Sequence, residues 1–115
     1  MKVIIAGGRK FNDYNLLKKS LNNILKNSSD IEVVSGKAYG ADQLGERYAN
    51  QYGYKLTQFS ANWSLYGKSA GYQRNKQMAE YATHLVAFWD GKSRGTKHMI
   101  DLATEYCLKI RTIIY

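Results

Sequence analysis

Glycine occurs beside cationic or hydroxyl-bearing residues in three separate segments of this chain. The segments are Gly7–Arg9, Ser35–Asp42 and Asp90–Thr96. Glycine lets the backbone approach an anion closely, and the first amides of a helix have unpaired N–H groups and a partial positive charge. One such segment would indicate only a tight turn. Because three occur in one chain, we expect them to form an anion-binding site that holds phosphate groups.

The predicted ligand-binding residues come from these segments and from the region between the second and third. Backbone amides at Gly7–Arg9, Ser35–Gly36 and Gly95–Thr96 are expected to hold phosphates. The side chains of Arg74 and Lys68 are expected to neutralise them. The complete set is Gly7, Gly8, Arg9, Ser35, Gly36, Lys37, Gly40, Ala41, Asp42, Trp63, Lys68, Arg74, Asn75, Asp90, Ser93, Arg94, Gly95 and Thr96.

Arg74 stands where a cation is electrostatically unfavourable. It falls near the beginning of a predicted helix, where the positive end of the helix dipole opposes a cation. Contact with a phosphate would account for this placement. Lys68, in a glycine-flanked loop, is interpreted in the same way.

Two carboxylates follow predicted strands and could contact a ligand or act as acid or base. Asp42 is equally explained as a helix cap, and Asp90 as a turn residue before Gly91. A carboxylate at such a site can also accept hydrogen bonds from ribose hydroxyls. We therefore predict no catalytic residue and keep Asp42 and Asp90 only as alternatives for that role.

Three aromatic residues lie near the predicted site. A nucleobase gains about 1–3 kcal/mol by stacking on an aromatic ring. Trp63 or Tyr66, in a long loop, could provide that ring, although packing explains Trp63 equally well. Trp89, at a strand end, is expected to pack in the core beneath the site.

The elements that must position these residues alternate between apolar runs and helical patterns. Strands are predicted at 2–6, 31–35, 54–59, 84–89 and 109–115, and helices from residue 12 or 13 to 25 and at 41–52, 71–81 and 96–106, with a loop at 60–70. Strands joined by helical crossovers pair in parallel. The predicted fold class is therefore α/β, a three-layer Rossmann-like fold with a five-stranded parallel sheet. Its ligands would bind at the carboxyl ends of the strands, and the strand orders 3-2-1-4-5 and 2-1-3-4-5 both remain open.

Composition excludes several classes of protein. The 115 residues are expected to form one domain, residues 1–115, because two halves would bury too little surface. The net charge of +8 (17 − 9) favours an anionic partner, although AT-rich coding would also enrich lysine. With Cys107 as the only cysteine and His84 and His98 as the only histidines, neither a disulfide nor a metal site is expected.

The same composition predicts where the protein works. No run of apolar residues is long enough to cross a membrane, so we expect the cytoplasm of a bacterium or of a phage-infected host. Cys107 is expected to pack as a small apolar residue, and both histidines to lie on the surface. The ten tyrosines would suit a homodimer or higher homo-oligomer.

Two common nucleotide-binding signatures are absent. No G-x-G-x-x-G or G-x-x-x-x-G-K-[ST] pattern occurs, which disfavours a standard NAD enzyme or P-loop NTPase. No cofactor is predicted.

Five motifs, in this order, resemble the YspA/YpsA-related branch of the SLOG superfamily. They are G-G-R-x-F at Gly7–Phe11, S-G-x-A-x-G-A-D at Ser35–Asp42, A-x-W-x-x-Y-G-K-x-A-G at Ala61–Gly71, R-N-x-x-M at Arg74–Met78 and A-F-W-D-G-x-S-R-G-T at Ala87–Thr96. The superfamily includes cytokinin-activating phosphoribohydrolases and the core of the DNA-uptake protein DprA. The resemblance implies a Rossmann-like fold and a site for nucleotides or nucleotide-derived signals such as ADP-ribose-type molecules.

The sequence departs from these relatives at three positions. The hydrolases carry G-G-x-G-T-x-x-E, but here Met99 occupies the position of the glutamate, and a thioether cannot serve as acid or base. Lys37 and Tyr39 stand where the branch has glycine and arginine.

Three functions are therefore considered. The first is binding without turnover, in which the protein senses or sequesters a nucleotide signal, for a phage as a counter-defence against its host. The second is a phosphoribohydrolase-like nucleotide hydrolase that uses Asp42 or Asp90. The third is single-stranded DNA binding like that of DprA, which the charge favours but for which no aromatic-basic repeat is present.

Overall fold

Five short strands, of which the central ones are largely apolar, form one parallel sheet in the computed structural model, which describes residues 1–115. The strands are β1 (Lys2–Gly7), β2 (Glu32–Ser35), β3 (Lys55–Gln58), β4 (His84–Trp89) and β5 (Lys109–Ile114). The helices are α1 (Tyr14–Leu25), α2 (Ala41–Tyr52), α3 (Trp63–Tyr66), α4 (Ala70–Tyr81) and α5 (Arg94–Glu105), with a 3₁₀ turn at Gly67–Ser69. The α/β Rossmann-like fold predicted from the sequence is confirmed.

The strand order is β3-β2-β1-β4-β5. It selects the order 3-2-1-4-5 from the two that the sequence left open. Strand β1 lies at the centre, with Ile4 opposite Val34 of β2 and Leu85 of β4. The chain reverses direction across the sheet between β1 and β4, and this reversal opens a crevice at their carboxyl ends.

Helices cover both faces of the sheet because the central strands are apolar on both sides. Val3 and Ile5 belong to the core cluster that contains residues of α1 and α2. Ile4 and Ala6, which alternate with them, belong to the cluster that contains residues of α4 and α5. Side chains alternate between the two faces of a strand, so each face of β1 has its own core.

The start of α1 and the end of α2 match the predicted bounds at residues 12 or 13 and 52. The side chain of Asp13 accepts a hydrogen bond from the Leu16 N–H at 3.0 Å and caps α1. Gly53 ends α2 in the left-handed conformation at φ 70°, which glycine adopts without a steric penalty.

Two predictions about this fold are wrong. The expected loop at 60–70 contains α3 and the 3₁₀ turn, because the Asn62 side chain accepts from the Leu65 N–H at 3.0 Å and starts a helical turn. Cys107 is exposed rather than packed, since it lies in the turn after α5 at φ 61°. No helix has the length and apolar character needed to cross a membrane.

Candidate functional site

The largest cavity of the molecule lies at the carboxyl ends of β1, β2 and β4. Its volume is about 400 Å³. It is lined by Ala6, Gly7, Gly8, Arg9, Lys10, Ala38, Asp42, Arg74, Asn75, Met78, Asp90, Ser93, Gly95, Thr96, Met99 and Tyr115. We call it the main cavity. Most of its polar residues belong to the predicted set.

The N-terminus of α5 opens into the main cavity. Ser93 precedes the helix, and no side chain caps the first amides. The first N–H groups of a helix have no acceptor within it and carry its positive dipole end. Gly95 and Thr96 line the cavity at this point. The arrangement is suited to an anion.

Asp90 and Trp89 hold the loop that leads into α5. Asp90 Oδ1 accepts hydrogen bonds from the N–H groups of Lys92 and Ser93, both at 2.8 Å. These two hydrogen bonds lower the pKa of Asp90, and the one from Ser93 contributes most. Trp89 is half-buried and donates from Nε1 to the Ser93 carbonyl at 3.1 Å. Asp90 thus has the turn role that the sequence offered for it.

Arg74 is anchored on two sides while part of its guanidinium remains free. Nε donates to Asn75 Oδ1 at 3.1 Å, and Nη1 donates to the Gly36 carbonyl at 2.7 Å. A guanidinium has about five N–H donors, so roughly three remain for a ligand. Burial lowers the pKa of Arg74, Asp42 opposes that shift, and Arg9 adds to it. An anion would relieve the repulsion between the two arginines.

Asp42 is the buried carboxylate of the site, with 5% of its surface exposed. Its Oδ2 accepts a long hydrogen bond, 3.4 Å, from the Ala38 N–H. Burial raises its pKa to about 6, against the opposing effect of Arg74. A Cβ on Gly36 would lie 2.9 Å from both Asp42 Oδ2 and Arg74 Cδ. Glycine at position 36 therefore makes room for both side chains.

Three residues of the predicted set support the loops and do not line the main cavity. Gly40 has φ 78°, and a Cβ there would lie 2.2 Å from the Gly8 carbonyl oxygen. The Ala41 N–H donates to the same Gly8 oxygen at 3.3 Å. The Ser35 hydroxyl donates to Glu46 Oε2 at 2.7 Å and accepts from the Lys37 N–H at 3.1 Å.

Two smaller cavities adjoin the main one and share Arg9 and Arg74 with it. The first, about 340 Å³, is lined by Arg9, Gly36, Lys37, Ala38, Tyr39, Ser60, Ala61, Trp63 and Arg74. The second, about 220 Å³, is lined by Arg9, Trp63, Lys68, Gly71, Tyr72, Arg74, Asn75 and Gly95. Arg94, a member of the predicted set, is exposed and lines none of the three cavities. Tyr66, the alternative stacking ring, is also exposed and lines none of them.

Trp63 lies between these two cavities with 55% of its surface exposed. Tyr39, 71% exposed, shares the first cavity with it. Flat rings of this kind, free of core packing, are available for stacking.

Sequence reasoning missed some residues of the site. Tyr115 lines the main cavity and packs against Phe11, with ring centroids 4.7 Å apart. No sequence signal places it there, since it follows the last strand. Met99, noted only as a replacement for glutamate, is 1% exposed and lines the cavity from α5.

His98 was expected on the surface and is instead partly buried. Its Nδ1 lies 3.2 Å from Asn75 Nδ2, and its ring centroid is 4.4 Å from that of Tyr72. His84 is partly buried as well. No group of three or more His, Cys, Asp or Glu side chains converges in a way that could hold a metal ion.

The family of this chain is shown by a match to a family model. The model of the YspA, cpYpsA-related SLOG family matches residues 1–66. The chain belongs to this family. The match contains the loops at Gly7–Phe11 and Ser35–Asp42, and the fold brings the later segments of this SLOG protein, around Arg74 and Gly95, to the same cavity.

Solved structures show the same fold. DNA processing protein A (DprA) from Streptococcus pneumoniae has a TM-score of 0.80 and 21% identity over 99% of this chain and 50% of that one. DNA processing protein A from Helicobacter pylori, whose structure was described for its single-stranded DNA binding mode, has a TM-score of 0.74. It shares 19% identity over 97% of this chain and 64% of that one. A predicted tRNA methyltransferase subunit from Methanocaldococcus jannaschii has a TM-score of 0.50 and 13% identity over 99% of this chain and 66% of that one.

This SLOG protein therefore spans about half of the first DprA chain and under two thirds of the second. No curated protein matches it. Lys37 has φ 61°, a conformation that glycine adopts more easily than lysine.

Proposed function

We propose that this protein binds a nucleotide-derived, phosphate-bearing ligand in the main cavity and holds it without turnover. The observation that carries the proposal is the uncapped N-terminus of α5, which opens into a cavity of about 400 Å³ beside Arg9 and Arg74. Such a cavity is within the size range of small-molecule sites. Membership of the SLOG family supports a nucleotide-related ligand.

The phosphate would bind between α5 and Arg74. The first α5 amides supply oriented donors, and the free N–H groups of Arg74 supply positive charge. Arg9, exposed and lining the same cavity, would close over the anion.

The ribose and base would extend away from that phosphate. Asp42 is a hydrogen-bond acceptor in the wall of the cavity and suits a ribose hydroxyl. Trp63 lies in the adjoining cavities that share Arg9 and Arg74 with the main one. A base stacked there would gain about 1–3 kcal/mol.

Binding without turnover is favoured by the side chain of Met99. It lies in the cavity wall from α5 and is buried, at the position where hydrolase relatives carry glutamate. It offers no proton-transfer group. Sensing or sequestration of a signal, including counter-defence by a phage, needs binding alone.

Isothermal titration with AMP, ADP and ADP-ribose tests the proposal, with adenosine as the ligand that lacks phosphate. We expect the phosphorylated ligands to bind and adenosine not to bind. Arg74→Gln should weaken binding at least about tenfold, the effect of losing one charge-assisted hydrogen bond. Lys109→Gln, at the other end of the sheet, is the control for net charge.

Two results would contradict it. Absence of binding by all three phosphorylated ligands would remove the proposed ligand class. Release of free base during the titration would show that the ligand is hydrolysed rather than only bound. Asp42→Asn would then show whether Asp42 is the acid or base. Native mass spectrometry of the same samples would test the predicted homo-oligomer.

Single-stranded nucleic acid is a second candidate ligand. Trp63, Tyr39 and Tyr72 are exposed near Lys37 and Lys68 in the adjoining cavities. Stacking rings beside cations are typical of single-strand sites, and the H. pylori DprA structure is described with such a binding mode. Oligothymidylate binding that weakens steeply with salt and is lost in Trp63→Ala would support it. Arg74→Gln should then have a smaller effect than Trp63→Ala.

A further inference from the structure

We infer that neutral His98 positions Arg74 through Asn75, so that the anion site is fully formed only while His98 is uncharged. The inference deepens the proposed function and rests on Arg74 being the cation of that site. It assigns a role to a histidine that neither contacts the ligand nor belongs to the predicted set.

The orientation of the Asn75 amide follows from Arg74. A guanidinium nitrogen can only donate, so the Asn75 atom 3.1 Å from Arg74 Nε must be the oxygen Oδ1. The other end of the amide, Nδ2, then faces His98 Nδ1 at 3.2 Å. Because Nδ2 can only donate as well, His98 Nδ1 must be the acceptor. The neutral imidazole consequently carries its proton on Nε2.

The surroundings favour this uncharged state. Asn75 is 6% exposed, and the Tyr72 ring packs against the imidazole. Burial lowers the pKa of His98, and Asp101, on the same helix, partly opposes the shift. Asp101 is itself paired with Lys97 at 3.1 Å.

A proton on Nδ1 would break the chain of hydrogen bonds. Two donors, His98 Nδ1–H and Asn75 Nδ2–H, would then face each other. Rotating the Asn75 amide by half a turn would relieve that contact, but it would place Nδ2 against Arg74 Nε. Only one of the two contacts of Asn75 can be satisfied when His98 is charged. Arg74 would retain the Gly36 carbonyl as its single firm anchor.

Few other charged groups face His98. Helix α4 contributes the Tyr72 phenol and, beyond Asn75, Arg74 itself. The charged strand residues Lys2, His84 and Lys109 lie at the opposite, amino ends of the strands. Arg111 alternates with Ile110, which packs in the cluster beneath α5, and so lies on the other face. Asp42, on α2, also acts on Arg74, and with a pKa of about 6 it titrates in acid as well.

The first test uses the protein without ligand. Nitrogen-15 NMR of the imidazole should show His98 as the Nε2–H tautomer at about pH 7.5. The Arg74 Nε–H resonance should shift as His98 titrates in the natural sequence. In His98→Asn only the shift caused by Asp42 should remain, because the introduced amide oxygen occupies the place of Nδ1 and cannot take up a proton. An Nδ1–H tautomer, or the same Arg74 shift in both proteins, would overturn the inference.

The second test measures sulfate affinity at about pH 7.5 and about pH 5.5, a range in which sulfate keeps its double charge. We expect the natural protein to lose about tenfold more affinity in acid than His98→Asn does. His98→Leu, which lacks the acceptor, should bind weakly at both pH values. Asp42 is common to all three proteins, so its titration cancels in the comparison.

The outcomes separate this inference from the proposed function. Equal losses of sulfate affinity in acid for the natural protein and His98→Asn, or tighter binding in acid, would refute the positioning role of His98. The proposed anion site would not be affected by either result. If sulfate and ADP both fail to bind at about pH 7.5, the proposed function fails, and the tautomer and the Arg74 resonance still decide the inference.

Discussion

The two ends of the sheet use polar side chains differently. At the amino ends, the Glu32 carboxylate accepts from the hydroxyls of Tyr81 and Thr57 and pairs with Lys55. A cavity of about 210 Å³ at that end has mostly apolar walls. At the carboxyl ends, α5 begins without a side-chain cap and Arg74 keeps free donors. Polar groups that satisfy one another stabilise the fold, whereas donors left unpaired around a cavity are available to a ligand.

The largest expected effect compares two glycines with positive φ at either end of α2. Gly40→Ala places a Cβ 2.2 Å from the Gly8 carbonyl oxygen, so we expect a loss of more than about 4 kcal/mol in the free energy of unfolding, or no folding. Gly53, at φ 70°, has no atom within 4 Å of the corresponding position. Gly53→Ala should cost only about 1 kcal/mol. Urea denaturation measures both, and equal losses would contradict the assigned role of Gly40.

A second contrast concerns the buried carboxylate of the site. Burial raises the pKa of Asp42 to about 6, so the folded protein binds its proton more tightly than the unfolded chain does. Stability due to Asp42 therefore falls as pH rises from about 4 to about 6. Asp42→Asn should raise the free energy of unfolding at neutral pH by about 2–3 kcal/mol and have little effect at about pH 4. Denaturation across this pH range tests the sign, and a destabilised variant at neutral pH would contradict it.

The carboxylate at the amino ends should behave in the opposite way. Burial opposes ionisation of Glu32, but hydrogen bonds from Tyr81 and Thr57 and the charge of Lys55 outweigh it and lower its pKa. Its contribution is present above the unfolded pKa and is lost as pH falls. Glu32→Gln should destabilise the protein at neutral pH by about 1–2 kcal/mol, with a smaller effect in acid. Nucleotide affinity should not change, and a change would link the two ends of the sheet.

The smallest effect concerns two exposed residues that share φ 61°, Lys37 and Cys107. Glycine relieves the steric strain of this conformation but gains freedom in the unfolded chain. Lys37→Gly and Cys107→Gly should each stabilise the protein by about 0.5 kcal/mol. Only Lys37→Gly should also lower nucleotide affinity, because Lys37 lines a cavity that adjoins the main one. Thermal denaturation and titration with ADP measure the two effects, and a loss of affinity in both variants would contradict the comparison.

Much of the fold could be read from local pattern. The alternation of apolar strands and amphipathic helices predicted the parallel sheet, and the predicted start of α1 and end of α2 are confirmed at Asp13 and Gly53. The short helix at Trp63–Tyr66 was missed because one turn is too short for periodicity to reveal, and its signal was the single capping residue Asn62. These features depend on neighbours in the chain, so sequence reasoning reaches them.

The features of the site likewise fall into those that depend on short segments of the chain and those that depend on tertiary packing. The glycine loops, the cations and the helix bounds were predictable from the amino-acid sequence alone, because backbone conformation and charge are properties of short segments. The strand order, the convergence of Asp42 and Arg74 on Gly36, and the contact between Asn75 and His98 were visible only in the folded structure. Those arrangements depend on how α2, α4 and α5 pack over the sheet. Asn75 and His98 are 23 residues apart in the chain, and it is the packing of α4 against α5 that brings them within hydrogen-bonding distance.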